Sequence, residues 1–149
     1  MLKIGVVGSR TFKDYQFLSE QLDLIRAFLG DFLVVSGGAT GADTMAVRWA
    51  NERKLPIPVV FPAYFYDLSH PDAVIKEDRN GRKYDAAAGL RRNQEIVDNS
   101  DLIVAFWDGK SPGTKDTIGK AQQALKSIYV LWPATEPKAY IEERVYGTR

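Results

Sequence analysis

Short apolar runs alternate with amphipathic segments of helical period along most of this 149-residue chain, and that alternation leaves few folds open. LKIGVVG is apolar, rich in β-branched residues and stopped by Gly8, which predicts a buried strand over residues 2–7. From Asp14, a candidate N-cap, Leu18, Leu22, Ile25 and Leu29 recur at helical spacing until Gly30, which predicts a helix over 15–29. The alternation repeats with DFLVVS as a strand, a helix carrying Ala42, Met45, Ala46, Trp49 and Ala50 on one face, and IPVVFP as a third strand. After a long polar stretch come a helix around 86–98, the strand LIVAFW, a helix around 115–126 with Ile118, Ala121 and Leu125, and the strand SIYVLW.

Such a pattern implies an α/β fold, because right-handed crossovers place helices on both faces of a parallel sheet. A Rossmann-like three-layer sandwich with about five parallel strands is expected, built as one domain over residues 1–149. Two regions break the rhythm. Residues 63–85 are too long for an ordinary connection and too polar for a core element, and are expected to form a mobile cover over the ligand cleft. The tail from about residue 133 holds AYIEERVY, which reads as a short docking helix.

In open α/β sheets ligands bind beyond the carboxyl ends of the strands, where the strand order reverses, so the loops after strands carry the functional signal. SGGATGAD, after the second strand, opens a helix where free N–H groups and the positive dipole end converge. Two readings stand side by side: a tight turn that needs glycine, or a cradle for an anion. The stretch lacks the lysine of a P-loop and the spacing of G-x-G-x-x-G. Asp43 likewise reads either as a first-turn carboxylate favouring the helix or as a ligand contact. DGKSPGTKD, after the fourth strand, repeats the arrangement, with Asp108, Ser111, Gly113 and Thr114 as candidate contacts. Gly8, Ser9 and Arg10 end the first strand at the same edge, and Arg10 adds a guanidinium able to grip a phosphate.

Composition removes several chemistries. There is no cysteine, hence no disulfide or thiolate site, and the single histidine, His70, has no partner for a triad or a histidine metal cluster. His70 reads as loop surface, and Phe61 and Phe65 as packing residues, with Tyr64 a weak stacking candidate. A net charge of +1 gives no support to nucleic-acid binding, and no apolar run reaches membrane-spanning length. With no signal-peptide pattern at the start, a cytoplasmic location is expected, with no metal and no cofactor.

VVGSRTF, SGGATGADTMAVRWA, AAGLRRNQEIV and DLIVAFWDGKSPGTKDTIGKAQ, in that order, resemble the YspA/YpsA-related branch of the SLOG superfamily over roughly residues 1–132. That superfamily is Rossmann-like and includes the lonely-guy phosphoribohydrolases, the DNA-processing protein A family and sensors of ADP-ribose-like signals. The resemblance implies that Gly8, Ser9, Arg10, Gly37, Gly38, Thr40, Gly41, Asp43, Arg92, Asn93, Gly113 and Thr114 contact a nucleotide-derived ligand, and that helices pair two copies into a homodimer. The phosphoribohydrolases carry P-G-G-x-G-T-x-x-E; here the glutamate position is Thr117, and the nearby carboxylate is Asp116. Binding of a nucleotide or ADP-ribose-like ligand is therefore the expected function. Hydrolysis of a nucleoside monophosphate, with Asp116 and Arg92 as catalytic residues, is the alternative, and single-stranded nucleic-acid binding the third reading.

Overall fold

The computed structural model describes residues 1–133 and the backbone of Val145–Tyr146. In chain order the elements are β1 (Leu2–Gly8), α1 (Tyr15–Leu29), β2 (Phe32–Ser36), α2 (Ala42–Glu52), β3 (Val59–Val60), β4 (Ile75–Glu77), β5 (Lys83–Asp85), α3 (Ala88–Asp98), β6 (Leu102–Phe106), α4 (Pro112–Gln123), β7 (Ser127–Leu131) and β8 (Val145–Tyr146). The main sheet has the order β3-β2-β1-β6-β7-β8. Its first five strands run parallel, and β8 adds an antiparallel edge on β7.

Both pleat faces are apolar, as a sheet covered on two sides requires. Ile4, Val6, Phe32, Val34, Val104 and Phe106 pack under α1 and α2, against Leu18, Leu22, Ala46 and Trp49. Val7, Val35, Ile103, Ala105, Ile128 and Val130 pack on the opposite face with Ile96 and Val97 of α3 and Ile118 and Ala121 of α4. Trp49 is fully buried, and its ring stacks on Phe32 at 5.3 Å. Truncating such a residue to alanine costs about 3–5 kcal/mol, so this pair is a principal anchor of α2.

The helices end where their local chemistry says. Asp14 caps α1 by accepting from the Phe17 amide at 3.0 Å, and Gly30, at φ 82°, closes it. The ends of α2 and α4 instead place Lys54 (φ 54°) and Leu125 (φ 57°) in the left-handed region. There the amides of Leu55 and Lys126 donate back to Ala50 and Ala121, each at 3.0 Å, in the pattern of a Schellman ending.

Four features depart from the sequence reading. β3 is two residues long and exposed at the sheet edge, flanked by Pro58 and Pro62, whose missing N–H groups fall on the solvent side of the strand, opposite the Phe61 amide that donates to Ser36 of β2. α4 starts three residues early, with Pro112 at its first position, where the fixed φ of proline favours the helix. Residues 63–85 contain a separate antiparallel hairpin of β4 and β5, turned through Asp78–Gly81. Of the tail read as a helix, residues 134–144 lie outside the described residues, whereas Val145–Tyr146 is a strand paired with β7.

The chain runs outward from β1 through β2 to β3, then returns to lay β6 against the other side of β1. The reversal opens a crevice at the carboxyl ends of β1 and β6. Gly41 fixes one wall of that crevice. Its φ is 86°, and a Cβ there would lie 2.5 Å from the Ser9 carbonyl oxygen and 2.7 Å from that of Arg10. Gly41→Ala is therefore expected to lose about 2–4 kcal/mol in urea unfolding, from left-handed strain plus displacement of the β1 loop. The control is Gly119→Ala, within α4 and with nothing near its Cβ position, which should gain about 0.5–1 kcal/mol.

Candidate functional site

A cavity of about 450 Å³ occupies the crevice. The loop after β1 contributes Ser9, Arg10 and Thr11, the turn into α2 contributes Ala39 and Asp43, and α3 contributes Gly89, Leu90, Arg92 and Asn93. Ser111, Pro112, Gly113, Thr114 and Thr117 line it from the start of α4, Phe65 from the inserted segment and Ala86 from the turn between β5 and α3. Most of the residues singled out from sequence thus converge. Gly37, Gly38, Thr40, Gly41, Asp108 and Asp116 do not line the cavity, although all but Asp116 belong to the loops that shape it.

The glycines divide into two kinds. A Cβ at Gly8 would come within 2.6 Å of Ala42, one at Gly38 (φ 71°) within 2.9 Å of Val60, and one at Gly37 within 2.6 Å of the Arg92 guanidinium. These glycines, with Gly41, let the protein pack on itself. Gly113 is different: nothing lies within 4 Å of its Cβ position, its φ is not left-handed, and it faces the cavity.

Gly113 belongs to an uncapped helix start. Ser111 is at the N-cap of α4 but makes no capping bond. Its hydroxyl reaches Ser9 Oγ at 2.8 Å and Asp108 Oδ2 at 3.1 Å instead. The first intrahelical donor is the Lys115 amide, so the amides of Gly113 and Thr114 have no acceptor within the helix. Asp108 accepts from the amides of Lys110 and Ser111, both at 2.8 Å. Burial pushes its carboxyl up, but the backbone donors and the two serine hydroxyls outweigh that and hold it below the usual carboxylate range. Asp108 thereby organises the loop and turns Ser111 away from the helix end.

Across the crevice, Asp43 is 5% exposed in the first turn of α2 and accepts from the Ala39 amide at 3.3 Å. Burial raises its pKa from 3.8 to about 6, against the opposing effects of the Ala39 amide, Arg92, the Gly37 amide and Arg10. Arg92 reaches over from α3 to donate to the Gly37 carbonyl at 2.6 Å and to Asn93 Oδ1 at 3.2 Å. Burial lowers the Arg92 pKa, partly offset by Asp43, with Arg10 acting in the same direction as burial. The described ion pairs join Arg26 to Asp31, Arg48 and Arg53 to Glu52, Arg53 to Asp23, Arg91 to Asp85 and Lys120 to Asp116. Arg10 and Arg92 are in none of them, which leaves two guanidinium groups facing one cavity. Asp116 pairs with Lys120 at 2.6 Å and accepts from Asn93 at 3.0 Å, while Thr117, one residue on, faces the cavity.

Sequence reasoning passed over two residues. Phe65, read as packing, is the one aromatic ring on the cavity wall among the described residues. Asp85, fully buried, accepts from the amides of Val74 and Ala87 at 3.0 Å and pairs with Arg91, tying the inserted segment to the start of α3. The D-x5-R spacing ahead of a helix was the available signal for that tie. His70 is exposed and accepts from the Asp72 amide at 3.0 Å, a local loop contact.

The family model for YAcAr, the YspA, cpYpsA-related SLOG family, matches residues 2–65. Gene 61 protein of Mycobacterium phage D29 is 35% identical over 127 residues, covering 83% of this chain and 91% of that protein. The chain belongs to the YspA, cpYpsA-related SLOG family. Solved structures share the fold at lower identity. DNA processing protein A from Helicobacter pylori, described for its single-stranded DNA binding mode, is 24% identical with a TM-score of 0.63, over 99% of this chain and 69% of that one. Its counterpart from Streptococcus pneumoniae is 17% identical with a TM-score of 0.69, over 93% and 53%. The molybdenum cofactor binding protein of Rippkaea orientalis is 18% identical with a TM-score of 0.56, over 89% and 77%. At these identities the likeness to the three structures is one of fold. Among the described residues of this SLOG chain, no helix is long and apolar enough to cross a membrane, and no group of three or more His, Asp or Glu is placed to hold a metal ion.

The raised pKa of Asp43 has a measurable sign. The folded protein holds this proton more tightly than the unfolded chain, so the associated stability is present at low pH and is lost as pH climbs from about 4 to about 6. Relative to Asp43→Asn, the parent should lose up to about 3 kcal/mol across that window, at 1.36 kcal/mol per pH unit, and no more above it. Urea unfolding of both proteins from pH 4 to 7 checks this, and parallel profiles would show that Asp43 titrates normally.

Proposed function

We propose that the protein binds a nucleotide or ADP-ribose-like ligand in this crevice, as a sensor or a sink for a nucleotide-derived signal. The phosphate is received by the amides of Gly113 and Thr114 with Arg10 and Arg92, and the sugar hydroxyls face Asp43. The observation that carries this is Gly113: a glycine required by no contact and no backbone angle, lining a cavity beside two arginines that make no ion pair among the described residues, at an uncapped helix start. Its missing side chain is explained by close approach of a ligand to the backbone.

Hydrolysis of the N-glycosidic bond is the weaker reading. Asp116, the carboxylate nearest the expected glutamate position, does not line the cavity and is held by Lys120 and Asn93, and the residue facing the cavity is Thr117. Incubation with nucleoside monophosphates should release no free base above a protein-free blank; sustained release would overturn the preference for binding.

At a hundredfold excess over Kd, a cognate nucleotide should stabilise the fold by about 2.7 kcal/mol, enough to raise the melting midpoint by several degrees. Gly113→Ala should remove that shift while leaving unliganded stability unchanged or slightly higher. Arg10→Ala, at an exposed position, should weaken binding about ten- to a hundredfold without lowering the unliganded midpoint. A Gly113→Ala protein that binds like the parent would show that this helix start is not the phosphate site. Binding of single-stranded oligonucleotides with a steep salt dependence, and of no mononucleotide, would favour the nucleic-acid reading instead.

A further inference from the structure

We propose that Phe65 is the platform on which the ligand's nucleobase stacks, which makes the inserted segment the determinant of which nucleotides the cleft accepts; this rests on the nucleotide reading above. The cavity walls differ in chemistry. The β1 loop and the start of α4 supply hydroxyls, amides and Arg10, whereas the inserted segment supplies Phe65 and the entry and first turn of α3 supply Ala86, Gly89 and Leu90, with Arg92 and Asn93 one turn further along. A ligand with a charged end and a flat apolar end matches such a cavity, and its volume lies in the range of roughly 300–1,000 Å³ found for small-molecule sites.

Phe65 is held where a base would need it. Its ring lies against Gly89, at whose Cβ position the nearest ring carbons are 3.5 and 3.6 Å away, so the bare backbone of α3 backs the ring. Its carbonyl accepts from the Asp85 amide at 2.6 Å, and buried Asp85 is in turn paired with Arg91 of α3. The neighbouring aromatics are engaged elsewhere: Tyr66 lies under the Arg82 guanidinium at 3.3 Å, and Tyr64 lines a separate cavity of about 170 Å³ beside His70. Phe65, Ala86, Gly89 and Leu90 carry no side-chain donor or acceptor of their own, so this part of the wall favours a base by stacking area. Purine nucleotides are favoured over pyrimidine ones, with adenine and guanine treated alike.

The test compares ribose 5-phosphate with adenosine, guanosine and cytidine 5′-monophosphates, by calorimetric titration of the parent, Phe65→Ala, Phe65→Leu and Phe65→Trp. The parent should bind the two purine nucleotides similarly, and more tightly than cytidine monophosphate or ribose 5-phosphate. Phe65→Ala should weaken the purine nucleotides roughly 5- to 100-fold and leave ribose 5-phosphate unchanged. Phe65→Trp should keep purine affinity, and Phe65→Leu, which preserves the apolar contact with Gly89, should lose it while melting like the parent. If ribose 5-phosphate binds and Phe65→Ala leaves the ratio of purine nucleotide to ribose 5-phosphate affinity unchanged, the platform is wrong and the phosphate site stands. Equal loss of all four ligands in both Phe65→Ala and Phe65→Leu would make Phe65 a packing residue and overturn the proposal. A parent that binds none of the four, and no ADP-ribose in a parallel titration, overturns both readings.

Discussion

The hydrogen bond from Arg92 to the Gly37 carbonyl joins the two helical layers across the open end of the sheet. It links residues 55 positions apart, one on the α3 side and one in the turn that leads into α2 on the other face. The guanidinium fits because Gly37 has no side chain, and it lies close enough to offset part of the cost of burying Asp43. Remove the Arg92 side chain and three things change together: the turn loses an anchor, Asp43 loses a compensating charge, and the cavity loses one of its two guanidinium groups. Shape and electrostatics of the crevice are thus properties of one contact.

The carboxylates near α4 are engaged by their own neighbours. Acid–base chemistry needs a titratable group within hydrogen-bond reach of the reacting atoms. Asp108 is kept ionised and turned into its own loop, and Asp116 is held by a lysine outside the cavity. The carboxyl group that does face the cavity, Asp43, is nearly buried and already accepts a backbone amide. What the crevice offers is a positive, donor-rich wall and an apolar wall, a combination suited to holding a ligand.

The layered sheet was legible because period-2 and period-3.6 patterns are local, and Leu18, Leu22, Trp49, Ile96 and Ile118 all lie where those patterns place them. The convergence of Arg10, Asp43, Arg92, Ser111, Gly113 and Thr114 was legible at one remove, through the rule that loops at one sheet edge share a crevice. What each glycine does was not. SGGATGAD and DGKSPGT look alike as strings, yet Gly41 is pinned by the backbone of Ser9 and Arg10 while Gly113 touches nothing, and that distinction depends on neighbours distant in sequence. The same limit applies to Phe65, whose place on the wall is set by the tie between Asp85 and Arg91. The early start of α4 turned on one proline that a periodicity count does not weigh.

The short outer strand β3 has a bearing on how copies of this molecule meet. Its valines are exposed, and an exposed strand margin ordinarily serves as a template for further chains. Here Pro56, Pro58 and Pro62 carry no amide hydrogen, and that of Phe61 is already donated to Ser36 at 2.9 Å. Strand alternation points Val59 the same way as Phe61, toward β2, so of the outward positions 58, 60 and 62 Val60 alone has an amide hydrogen with which to recruit a neighbour, and the far margin of the parallel strands is occupied by the antiparallel β8. The sheet is closed to lateral growth on the β3 side, so crowded copies can touch there without zipping into a continuous ribbon.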